Sequence, residues 1–154
     1  MDFIMFLGVK EKEILELLYK AKFKVEENTP LCLIGENYFG FFKREQKTIV
    51  ICTNNAMKRG GYHLPRSSRE DYFDKTGIYI RRALRHESVH VAQKCNGGSI
   101  KEAFNVEKIK IHPFKNEALI GSTSISGRKD RELEAYWLED KPKKVIYILK
   151  KYCF

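Results

Sequence analysis

Residues 86–90 read His-Glu-Ser-Val-His, two imidazoles four positions apart with a carboxylate directly after the first. On a helix, side chains four apart stand on one face, so both rings can reach a single metal ion. Two imidazoles completed by a carboxylate suit zinc among the divalent ions. Glu87 is then placed to take the proton of a water attacking a carbonyl, the chemistry of a metal-assisted hydrolase. At this chain's frequencies of His and Glu, chance produces the pattern at roughly the one-percent level, which gives it more weight than most short motifs.

A catalytic zinc needs a third protein ligand and one open position. Zinc peptidases with a distal histidine carry it a few residues downstream, where this chain has Lys94, Cys95 and Asn96. Cys95 has the chemistry to bind zinc. His63 and His112 have no spacing that ties them to the pair. Further on, Glu132-Leu133-Glu134-Ala135 offers carboxylates from a second helix. A His-Glu-x-x-His helix followed by a helix bearing Glu-x-x-Ala resembles the gluzincin branch of zinc metallopeptidases, and the order of elements is similar to that of its compact minigluzincin members.

That resemblance implies a zincin-like metallopeptidase core, Zn²⁺ as cofactor and hydrolysis of peptide bonds within a protein or peptide substrate. It also implies a glutamate as third ligand, followed three positions on by a small residue where two helices pack closely. Glu132, followed by Ala135, fits better than Glu134, followed by Trp137. The ligand set it implies is His86, His90 and Glu132, with Glu87 as general base. The family often has an aspartate just after the small residue to support a zinc histidine. Tyr136 stands there instead, leaving Glu139, Asp130 and Asp140 as substitutes. Tyr136, His112 and Tyr62 have the chemistry to steady an oxyanion. The strand that would bind an extended substrate by backbone pairing is expected at 48–54, TIVICTN. The order of elements spans about residues 10–140, and some dozen residues carry the specific likeness.

The elements that must position these residues follow from periodicity. Residues 9–27 place Ile14, Leu18, Ala21 and Val25 at helical spacing, stopped by Asn28-Thr29-Pro30. Residues 31–52 hold short aromatic and β-branched runs around a polar KREQK turn, and TIVIC (48–52) reads as a well-buried strand. Residues 53–75 read as a long loop. A helix is expected from Thr76, its cap, to the Gly97-Gly98 stop. Residues 99–125 read as an insertion with strand-like pieces in NVEKIKIHPF and a short helix near Asn116–Ile120. The glutamate helix is expected over 127–140, and Pro142 opens a last one. The sum is one α+β domain over 1–154, a small antiparallel sheet packed on helices.

Composition bounds the function classes. Hydrophobic residues make up 43% and charged residues 32%, as in a globular chain. No apolar run reaches the ~20 residues of a membrane span, and the start MDFIMFLGVKEKE lacks the pattern of an export signal. Cys32, Cys52, Cys95 and Cys153 lie far apart without Cys-x-x-Cys spacing, which reads as four reduced thiols in a cytoplasmic protein. The net charge of +9 keeps a second class open: a basic nucleic-acid-binding or regulatory protein whose metal site is structural or inactive.

Overall fold

The computed structural model describes residues 1–63 and 74–154. Helix α1 (Val9–Lys20) buries Ile14, Leu15, Leu17 and Leu18, the stripe its periodicity announces. It ends seven residues earlier than expected. Lys22 adopts a left-handed φ of 66° and turns the chain, and residues 24–27 become strand β1 (Lys24–Glu27). Val25 would continue the helical stripe, yet it serves equally well as the buried residue of a strand. Periodicity cannot separate those two outcomes at a helix end.

Strands β2 (Gly40–Lys43) and β3 (Thr48–Ile51) form the expected hairpin around the KREQK turn. The sheet is mixed, which corrects the antiparallel expectation: β1 pairs with β3 in parallel and β2 pairs with it antiparallel. The strand order β1-β3-β2 puts β3 in the centre, with all four residues buried. Residues 48–54 are therefore not a free edge, and the edge beside the metal helix is β2. Ile49 and Ile51 enter the main core, while Val50 joins Phe41, Cys32 and Cys52 in a small cluster on the opposite face.

The loop expected over 53–75 begins instead as helix α2 (Thr53–Gly60), and residues 64–73 of it lie outside the described part. Its asparagines bridge rather than break. Asn55 Nδ2 donates to the carbonyls of Cys32, Gly35 and Tyr38 at 2.9, 3.1 and 2.9 Å, shaping the approach to β2. Gly60 lets α2 touch the next helix, since a Cβ there would lie 2.4 Å from Thr76 N.

Helix α3 (Thr76–Asn96) is the long helix that carries His86, Glu87 and His90, and Gly97 ends it with φ 73°. Lys75, not Thr76, occupies the cap position. Among the described residues, the insertion forms no strand: NVEKIKIHPF finds no partner strand, and tight turns at Lys101–Phe104 and Pro113–Lys115 lead into helix α4 (Asn116–Ser126). Helix α5 (Lys129–Leu138) and helix α6 (Pro142–Cys153), with Pro142 in its first turn, complete the chain. The fold is α+β, with six α-helices and three strands among the described residues.

The four cysteines are not thiols. Cys32 bonds Cys52 and Cys95 bonds Cys153, with Cα atoms 5.6 and 5.2 Å apart. Spacing in sequence says nothing about which cysteines meet, since the pairs are 20 and 58 residues apart. The second bond ties the end of α3 to the end of α6 and removes Cys95 from the possible metal ligands. No helix among the described residues is long and apolar enough to cross a membrane.

Candidate metal centre

Helix α3 presents His86 and His90 one turn apart, their ring centroids separated by 5.1 Å. Helix α5, whose Ala135 is fully buried, packs on α3 and brings Glu132 to both rings. Glu132 Oε2 lies 2.6 Å from His90 Nε2, and Oε1 lies 3.7 Å from His86 Nε2. Among the described residues, these three form the group whose ligand atoms all fall within 4.8 Å of one another. Glu132 and not Glu134 completes the triad.

The other ring nitrogens decide what faces the centre. His86 Nδ1 is 3.0 Å from Glu139 Oε2, an acceptor, so Nδ1 carries the hydrogen. His90 Nδ1 is 2.8 Å from Gln93 Oε1. The Gln93 amide nitrogen is occupied as a donor to Arg131 O (3.0 Å) and Glu134 Oε1 (2.8 Å), which leaves its oxygen to accept from His90. Both Nε2 atoms therefore face Glu132, as donors while the rings hold a proton and as acceptors when a cation takes its place. Glu132 Oε2 is buried without a hydrogen-bond partner although His90 Nε2 is in contact with it. Three acceptors meeting at one buried point require a positive charge among them, a proton or a cation.

The electrostatics agree. Burial penalises charge on His86, but Glu132 and Glu139 outweigh it and raise its pKa from 6.5 to about 10. His90 shifts the same way, burial being overcome by Glu132. Burial also opposes ionisation of Glu132, yet the two imidazoles hold it well below the usual carboxylate range. The three side chains have the types and spacing to hold a cation.

Glu87 occupies the neighbouring face of α3, 7% exposed, and burial pushes its pKa up against the pull of the imidazoles. A raised carboxylate pKa suits a group that takes and returns a proton near neutrality. Gly40 of β2 makes room for it: a Cβ there would lie 3.1 Å from Glu87 Cγ and 3.2 Å from Ala83 Cβ.

The remaining candidates are elsewhere or have other work. His63 and Tyr62 pack on each other and Tyr62 on Phe6. His112 stacks on Phe114 and accepts its backbone N–H. Tyr136 sets its ring edge on to His86 at 4.5 Å, but its hydroxyl donates to Ala118 O at 3.1 Å and meets Ser122 Oγ at 2.9 Å. It is occupied on α4 and supports the ring. Of the carboxylates considered as substitutes for the missing aspartate, Glu139 takes the role. Asp130 pairs with Arg131, and Asp140 with Arg82 and Lys115. Gln93 escaped the sequence reading, although a residue three after His90 on a helix is its neighbour. Lys115, 3.0 Å from Glu139 Oε1, had no local signal at all.

A family match covers residues 3–154. The chain belongs to the family described as Domain of unknown function (DUF8637). No curated protein and no solved structure matches it.

Proposed function

We propose that the protein is a zinc-dependent peptidase with His86, His90 and Glu132 as ligands and Glu87 as general base. One observation carries the reading: the ring nitrogens of His86 and His90 and a Glu132 carboxylate oxygen converge within 4.8 Å of one another, and Glu132 Oε2 is buried without a hydrogen-bond partner. A zinc ion there supplies the missing charge and the Lewis acidity that polarises a peptide carbonyl. The protein's own groups do the rest. Glu87 takes the proton from the attacking water as its oxygen bonds the carbonyl carbon. It then delivers that proton to the amide nitrogen as the C–N bond breaks.

Strand β2 offers the substrate a place. Cys52 N donates to Phe39 O at 2.8 Å, and the alternation of an antiparallel ladder makes Phe41–Val50 the next bonded pair. The backbone groups of Gly40 and Phe42 then point away from β3, beside Glu87. An extended peptide can add to that edge by backbone pairing. The two disulfides fit an oxidising compartment rather than the cytoplasm expected for four reduced thiols, and the enzyme is proposed to work there.

Metal analysis of the purified protein is expected to find one zinc per chain, lost in His86→Ala and His90→Ala. Glu87→Gln is expected to keep the zinc and lose ~10²–10⁴-fold in hydrolysis of a peptide library, the usual worth of a general base. Purified protein without zinc, or a fully active Glu87→Gln, defeats the proposal. The nucleic-acid reading finds its support on α6 and the residue before it, where Lys141, Lys143, Lys144, Lys150 and Lys151 occur without an acidic residue. It predicts gel retardation that falls steeply with salt.

A further inference from the structure

Two residues of α5 and Glu139, which caps its C-terminus, each face two ways. Glu134 receives Gln93 Nε2 at 2.8 Å, and Gln93 in turn holds His90. The same carboxylate accepts the Ser99 hydroxyl and the backbone N–H groups of Ile100 and Lys101 at 3.2 and 3.1 Å, the first residues of the insertion. Tyr136 sets its ring against His86 and its hydroxyl on Ala118 and Ser122 of α4. Glu139 holds His86 Nδ1 with one oxygen and Lys115, from the turn before α4, with the other at 3.0 Å. Lys115 also reaches Tyr136 O at 2.8 Å and Asp140 Oδ2 at 2.7 Å.

The inward supports that Glu134, Tyr136 and Glu139 give the two histidines are thus each matched by an outward hold on residues 99–126. We infer that this segment is the outer support of the metal centre. Its seating and zinc binding stabilise each other through Glu134, Tyr136 and Glu139, with Lys115 and Ser122 as positioning residues. The inference rests on the zinc reading above. The physical basis is charge and orientation. Glu139 is 4% exposed, and a buried carboxylate that lost Lys115 would be left with less compensating charge while orienting His86. A ring held by a misplaced partner presents its lone pair off axis. Linkage makes the coupling reciprocal: whatever factor the seated segment adds to zinc affinity, zinc returns to the seating of the segment.

The far side of α4 extends the same placement. Gly121 faces Tyr38, just before β2, closely enough that a Cβ would lie 3.9 Å from the Tyr38 hydroxyl. The segment therefore reaches from α5 to the residues just before β2.

Zinc affinity by chelator competition and amide hydrogen exchange over 99–126 test the coupling without measuring activity. Lys115→Met and Tyr136→Phe are expected to weaken zinc binding by about 3- to 10-fold, at or below the ~10–100-fold known for direct supports of a ligand. Ile120→Ser, at an exposed position of the same helix, is expected to leave the affinity unchanged. In the unaltered protein, zinc is expected to slow exchange across 99–126, a reading that needs no variant to fold. Wild-type zinc affinity in both variants together with unchanged exchange would overturn the coupling while leaving the zinc site standing. A wild-type protein that binds no zinc would overturn both, and that result is seen before any variant is made.

Discussion

His86 and His90 share one helix face and one glutamate, yet they are held by opposite kinds of partner. His86 is backed by a charged carboxylate, Glu139, itself flanked by Lys115 at 3.0 Å and Arg82 at 3.8 Å. His90 is backed by a neutral amide, Gln93, whose orientation is set by Glu134 and Arg131 O. A carboxylate strengthens the donor character of the ring it holds; an amide mainly aims its ring. The two histidines of one site are therefore held differently, one by charge and one by geometry.

The comparison can be broken or sharpened in three ways. The largest expected effect is on the His90 end of α3, which Cys95–Cys153 ties to α6. Opening this 58-residue loop by Cys95→Ser with Cys153→Ser is expected to cost about 4 kcal/mol of stability from chain entropy. Chemical denaturation measures it. Hydrogen exchange should then show the turn around His90 loosened more than the turn around His86; equal loosening would erase the distinction between the two ends.

A smaller effect is expected from the partners themselves. Glu139→Gln should weaken zinc binding towards the upper end of ~10–100-fold, and Gln93→Leu towards the lower end. Chelator competition on the two variants decides it. The reverse order would mean that aim, not charge, dominates both rings.

The smallest effect is a pH dependence of the metal-free protein. His86 has its pKa raised from 6.5 to about 10 in the folded chain. Its contribution is thus fully present below about pH 6.5 and lost as pH rises through about 10. Glu132, held low, works in the other direction: its contribution is present above the ordinary carboxylate range and is lost as pH falls. Thermal unfolding in chelator should therefore show Tm declining by a few degrees between neutral and strongly alkaline pH. Glu139→Gln should flatten that decline more than Gln93→Leu does. A slope untouched by either variant would detach it from His86.

The site was more legible than the fold around it. His86, Glu87 and His90 are spaced by the helix itself, so the chain shows their common face without any tertiary knowledge. Glu132 could be preferred over Glu134 because close helix packing favours a small residue, Ala135, at the crossing. Glu139 was visible as one carboxylate of three. Its choice over Asp130 and Asp140 depended on where the end of α5 meets α3. Gln93 lay within reach of a helical-wheel reading, whereas Lys115 joins Glu139 from 24 residues away, and no local pattern reports that.

Local interactions over three or four residues are written in the chain, and they determined the metal helix, the hairpin around KREQK, the glycine stops and the proline start of α6. Long-range pairing is not written locally. Whether Val25 ends a helix or lies in a parallel strand depended on β3 being available beside it. Which cysteines bond depended on the ends of α3 and α6 meeting. Three acceptors become a cation site only when packing holds α3 and α5 in contact, because no local propensity gathers like partners at one buried point.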